Sequence, residues 1–98
     1  ITSKKICELY GHSKSVCSLL EYSKNIIISG SGEGLIKFWD WVNEKEIKTL
    51  KGHEGTVSSM TIYGNNNLAS GGYDCTLRIW DIEKMKCKKI LTDLTKNQ

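Results

Sequence analysis

His53, Ser70, Asp74 and Trp80 are the residues whose types and spacing most readily suggest chemistry. A serine, a histidine and an aspartate can act as nucleophile, general base and orienting carboxylate. The same kinds of residue stand at His12, Ser29, Glu33 and Trp39, each 41 positions earlier. A hydrolase has no use for a nucleophile set repeated at that interval, and neither serine sits in a Gly-x-Ser-x-Gly elbow. The set therefore reads as non-catalytic, and the chain as no enzyme. The cysteines offer no better site. Cys7, Cys17, Cys75 and Cys87 form no Cys-x-x-Cys pair and do not recur at equivalent positions, as disulfides stapling a repeat would. They read as free thiols of a reducing compartment, which makes the expected location intracellular, in cytoplasm or nucleus. His12 lies between Cys7 and Cys17, but the repeat gives it another part, so no metal and no cofactor is assigned.

The repeat dictates the elements that must hold these residues. Residues 11–50 lie over 52–91 without a gap: Gly11-His12 on Gly52-His53, Val16 on Val57, Ser29-Gly30 on Ser70-Gly71, Trp39-Asp40 on Trp80-Asp81, Leu50 on Leu91. A period in the low forties marks a repeat architecture. Inside each unit the apolar pattern predicts four short strands and no helix. Strand a runs over about Ser15–Leu20 and Thr56–Ile62, and strand b over Asn25–Ser29 and Asn67–Ser70. Strand c runs over Leu35–Trp39 and Thr76–Trp80, and strand d over Glu46–Leu50 and Cys87–Leu91. Ser23–Asn25 and Gly64–Asn67 join a to b; Gly30–Gly34 and Gly71–Asp74 turn b into c, where positive φ is expected. Sheets buried on both faces would place Val16, Leu19, Ile26, Ile28, Leu35, Ile36, Phe38 and Ile47 in one core. Val57, Met60, Ile62, Leu68, Ala69, Leu77, Ile79 and Ile90 would take the corresponding places in the next. Trp41 aligns with Ile82 and is expected to pack between blades.

The Gly-His opening and Trp-Asp close, each present twice at one spacing, resemble the WD-repeat β-propeller family over residues 4–91. The resemblance implies an all-β fold of two four-stranded antiparallel propeller blades plus the outer strand of a third, a fragment of a larger β-propeller. Residues 4–9 would be outer strand d of the preceding blade, 10–50 the first repeat, 51–91 the second, and 92–98 the connection toward the next. Further blades would come from the same or another chain, self-assembly of short chains being the alternative. The family also implies a structural hydrogen-bond network in each repeat: His12, Ser29, Glu33 and Trp39, then His53, Ser70, Asp74 and Trp80. The chemistry suits it, because an indole only donates, a hydroxyl accepts and donates, and a histidine joins hydroxyl to carboxylate. Glu33 is one methylene longer than aspartate. Either Gly32 and Gly34 give its turn room, or its carboxylate points to solvent and leaves His12 without a partner. Asp93-Leu94 stands where a third Gly-His would fall.

The net charge of +3 comes from 13 lysines, one arginine and 11 acids. Lys4, Lys5, Lys84, Lys86, Lys88 and Lys89 fall in or beside outer strands, where charge keeps an exposed edge from pairing with other chains. Arg78 stands alone, whereas nucleic-acid readers rely on several arginines, so a nucleic-acid partner is disfavoured. No apolar run approaches the ~20 residues needed to cross a membrane, and no membrane partner is expected. By resemblance, the function is that of a non-catalytic protein–protein interaction scaffold in a multiprotein assembly, binding other proteins or peptides. Its docking face would carry the d–a and b–c turns, with Ser13, Lys14, Ser15, Gly32 and Glu33, then Glu54, Gly55, Thr56 and Tyr73. Tyr73 is the residue favoured most, since tyrosine is enriched at binding hot spots. Two other readings stay open: a nucleic-acid-associated subunit using a lysine-rich surface, and a substrate-recognition propeller attached to an enzyme outside this segment.

Overall fold

In the computed structural model the described residues are 11–92. They form eight strands: β1 (Val16–Ser23), β2 (Ile26–Ser31), β3 (Leu35–Asp40), β4 (Lys45–Lys51), β5 (Val57–Tyr63), β6 (Asn67–Gly72), β7 (Thr76–Asp81) and β8 (Lys86–Thr92). The order β1-β2-β3-β4 makes one antiparallel sheet, and β5-β6-β7-β8 makes the other. There is no helix among the described residues. The strand expected at residues 4–9 lies outside them, as does the connection expected at 92–98 apart from Thr92.

Register repeats as faithfully as sequence. Ile27 faces Trp39 across β2 and β3, and Leu68 faces Trp80 across β6 and β7. A bulge precedes each tryptophan, between Phe38 and Trp39 and between Ile79 and Trp80. Strand b runs two residues further than the sequence pattern suggests, through Ser31 and Gly72, and strand a runs on to Ser23 and Tyr63. Gly30 thus belongs to the sheet, and close packing is its reason for being glycine. A Cβ there would stand 2.7 Å from a methyl of Val57. Positive φ falls at Gly34 (86°) and, one repeat later, at Cys75 (65°) rather than at a glycine. Glu44 and Met85 also take positive φ between c and d, where no sequence signal marked a turn.

One core lies between the two sheets. Ile28, Ile36, Phe38 and Leu50 of the first meet Val57, Leu68, Trp80 and Ile82 of the second. Tyr22 crosses the interface to donate a hydrogen bond to the Asn66 side chain at 2.8 Å. Equivalent residues show what the outer faces lack. Val57 is 0% exposed but Val16 is 50%; Ile36 is 0% exposed but Leu77 is 42%. Leu19, Ile47 and Ile90 are likewise exposed, so these five leave the expected core. The reason is geometric: two sheets enclose one layer, and each keeps one face turned outward. Trp41 is half-buried, whereas its counterpart Ile82 sits in the core.

Candidate functional site

The Ser-His-acid residues converge in both sheets. In the second, the Trp80 indole donates to the Ser70 hydroxyl at 2.8 Å, and that hydroxyl lies 2.7 Å from His53 Nε2. Because the indole can only donate, the serine accepts from it and donates to the histidine, leaving Nδ1–H for Asp74 at 3.2 Å. Asp74 also accepts the Glu54 backbone N–H at 3.0 Å, the Thr76 hydroxyl at 2.8 Å and the Thr76 N–H at 3.2 Å. Burial alone would raise its pKa. The donors from Glu54, Thr76 and His53 outweigh that effect and hold the carboxyl well below the usual carboxylate range. Ser70 is fully buried, so its hydroxyl is a link in this chain and out of reach of a substrate.

The first sheet builds the same chain with different parts. Trp39 donates to Ser29 at 2.7 Å, Ser29 lies 2.6 Å from His12 Nε2, and His12 Nδ1 lies 3.0 Å from Glu33. The longer acid does not turn to solvent, which removes that alternative: its side chain is only 12% exposed. It accepts the Ser13 N–H at 3.0 Å and the Ser31 hydroxyl, and these donors with His12 outweigh burial to bring its pKa to about 2. The anchors have changed places between repeats. Ser31 occupies the position of Gly72, and Leu35 that of Thr76. A Cβ on Gly72 would lie 2.7 Å from His53 Nδ1, so the shorter Asp74 leaves no room for a serine there and takes its hydroxyl from Thr76. Neither anchor was singled out from the sequence; the reciprocal exchange at 31/72 and 35/76 was the available signal.

A second difference flanks the networks. Lys37 is buried and donates to Glu46 at 2.8 Å and Thr49 at 3.0 Å; the Lys37 ammonium in turn holds the Glu46 carboxyl below its usual range. One repeat later Arg78, Cys87 and Ile90 stand in these places. The Arg78 guanidinium comes within 3.9 Å of Asp74, and its Nε has no hydrogen-bond partner among the described residues.

Above the networks the connecting turns form one surface. Gly32 N–H donates to Ser15 C=O and Tyr73 N–H to Thr56 C=O, both at 2.9 Å, so each b–c turn is tied to the start of its own strand a. A Cβ on Gly32 would stand 3.3 Å from Lys14 Cβ and 3.7 Å from the Thr56 hydroxyl, which joins the two sets. Gly55 lies against Tyr73 in the same way, at 3.6 Å. Tyr73 is 74% exposed, and Ser13, Lys14, Ser15 and Glu54 are exposed beside it. On the outward flank of β1–β4, Val16, Leu19, Ile27 and Trp39 line a cavity of about 460 Å³.

The sequence profile of the WD domain, G-beta repeat, matches residues 3–40 and 44–81, each match closing on a Trp-Asp pair. The chain belongs to the WD40-repeat family. Members of this family generally serve as protein-interaction scaffolds. Among solved structures, the WD40 β-propeller domain of Doa1 is similar over 83% of the chain, with 33% identity and a TM-score of 0.80. Two computationally designed proteins are also similar. Ika4 matches over 88% of the chain with 29% identity and a TM-score of 0.73, and Ika8 over 81% with 32% identity and a TM-score of 0.69. The WD40 chain spans 27% of the Doa1 domain, 52% of Ika4 and 24% of Ika8. No curated protein matches it in sequence.

Proposed function

We propose that these two blades are part of a non-catalytic scaffold that holds other proteins or peptides against the face carrying the d–a and b–c turns. The observation that carries this reading is the continuity of that face. Lys14, Ser15 and Gly32 of one repeat adjoin Thr56, Gly55 and Tyr73 of the next, with an exposed tyrosine among short, hydrogen-bonded turns. Rigid turns lose little entropy on binding, and an aromatic anchor supplies contact area. The lysines favour this face indirectly. Apart from Lys51, which adjoins the d–a turn, Lys45 and Lys48 lie on β4 and Lys86, Lys88 and Lys89 on β8, the edge strand of each sheet. Three exposed, unpaired cysteines, Cys17, Cys75 and Cys87, favour a reducing, intracellular compartment. A photo-cross-linking residue at position 73 of the full-length protein should capture a partner that the same residue at position 88 does not. Capture from 88 alone would overturn the reading.

A further inference from the structure

The parts that join the two sheets occur a second time on the outward faces of the chain. At the join, Val57 packs so closely on Gly30 that a Cβ there would stand 2.7 Å from a Val57 methyl. The Ser18 hydroxyl donates to the Val57 carbonyl at 3.2 Å, and Tyr22 donates to the Asn66 side chain at 2.8 Å. One repeat on, β5–β8 has Gly71, Ser59 and Tyr63 in the places of Gly30, Ser18 and Tyr22. One repeat back, β1–β4 has Val16 and Asn25 in the places of Val57 and Asn66. Ser59, Tyr63, Val16 and Asn25 are all exposed. Gly71 does not take positive φ, and among the described residues a Cβ on it would meet only the Ser59 hydroxyl, at 3.2 Å. Beside it Ser59, Met60, Ala69 and Leu77 line a cavity of about 150 Å³. Sizes match as well. Ala69 and Ile79 are smaller than Ile28 and Phe38, whose places they take, whereas Trp41 is larger than its counterpart Ile82. Volume lost on one outward face is thus returned on the other, as close packing between them requires.

From this correspondence we infer that a second copy of the chain docks head to tail, its outward β1–β4 face against the outward β5–β8 face of the first. The contact continues the one between the two sheets. The second copy's Val16 fills the cavity at Gly71, Ser59 donates to the carbonyl of that valine, and Tyr63 donates to the copy's Asn25. Each addition leaves one face of either kind free, so copies join until a ring closes. Propellers close at about four to eight blades, which is about two to four copies. Cys75 is the one misfit. A Cβ on Gly34 would meet the His53 carbonyl oxygen at 2.4 Å, and Cys75, in the same place, carries that Cβ. An ordinary carbon–oxygen contact needs about 3.3 Å, so the copy's His12 turn stands about 1 Å further out than the His53 turn does.

Sedimentation of the 98-residue chain tests this. Its mass should be a whole multiple of 11.0 kDa, at about two to four copies. Val16→Asp spoils one outward face and Leu77→Asp the other; both positions are exposed, so neither change touches the core inside the chain. Each variant alone should sediment as a single copy at up to about 100 μM. An equimolar mixture should form a one-to-one pair, because each member supplies the face that the other has lost. A mixture that stays single overturns the docking. So does a parent that sediments as one copy, in which case other blades cover both faces. Either variant pairing with itself would show a like-to-like contact and overturn it as well. Within the mixed pair, Tyr63→Phe in the Val16→Asp member should weaken association about three- to tenfold, through the lost hydrogen bond. Cys75→Gly in the same member should tighten it by relieving the misfit at His12. Unchanged affinity in both would place the contact elsewhere and refute the proposal.

Discussion

Removing the network carboxylates one at a time tests the idea that both chains are closed. In Asp74→Ala, the His53 Nδ1–H, the Glu54 N–H and the Thr76 hydroxyl lose a shared acceptor. The His53 side chain is 0% exposed, so water cannot replace the carboxylate there, and a buried donor left unpaired costs about 1–3 kcal/mol. The other two donors stand nearer solvent and add less. In Glu33→Ala, His12, Ser13 and Ser31 lose their acceptor, and the His12 side chain is only 5% exposed. The two variants should therefore lose similar stability, about 2–3 kcal/mol each and within about 1 kcal/mol of one another. Urea unfolding of the full-length protein at pH 7, with unchanged denaturant slope, reads the difference directly. A loss below about 0.5 kcal/mol for Glu33→Ala beside a full loss for Asp74→Ala would show that the longer acid does not serve His12, and the reasoning would fail.

The other predictions concern acid, backbone and core. Glu33 and Asp74 both titrate lower in the folded chain than their ordinary values, so the unfolded chain takes up protons first as pH falls. Their stabilisation should be intact above about pH 5 and should fade from about pH 4.5 toward pH 2, and Glu33→Ala should flatten that decline; equal declines would contradict it. Gly34→Ala should cost well over the roughly 1 kcal/mol of a left-handed alanine, because its Cβ strikes the His53 carbonyl. Gly64→Ala, at φ of 55° with nothing nearer than 3.5 Å, should cost only about 1 kcal/mol, and equal losses in denaturant unfolding would refute the contact. Val57→Ala should cost about 2 kcal/mol, as a fully buried side chain leaves a cavity; a loss under 0.5 kcal/mol, again in denaturant unfolding, would mean that the sheets do not pack as described.

The fold was legible because each repeat unit carries four short apolar strands and two signature dipeptides at a constant spacing, the pattern of the family it resembles. The network residues were legible through the family resemblance, and their recurrence after 41 positions in His12 and His53, Ser29 and Ser70 agreed with it. What the sequence did not reveal depends on side-chain reach and on which faces pack together. Ser31 and Thr76 anchor their acids only because a one-methylene difference between Glu33 and Asp74 moves the carboxylate, and spacing alone carries no trace of that. Gly30 looked like a turn residue but lies in β2 under Val57, a contact 27 residues away. The exposure of Val16, Leu19 and Leu77 follows from which faces the two sheets turn to each other, and apolar pattern alone does not distinguish an inner blade face from an outer one.

The scaffold reading is tested most directly by measuring the affinity of the partner cross-linked at position 73. Calorimetry on the full-length protein would compare the parent, Tyr73→Ala and the Lys86→Ala/Lys88→Ala pair, each with its melting temperature. The account predicts at least about tenfold weaker binding for Tyr73→Ala, about 1.4 kcal/mol, with melting unchanged within about 2 °C and the lysine pair binding normally. Unchanged affinity in Tyr73→Ala together with loss in the lysine pair would contradict it and move the interface to the outer strands.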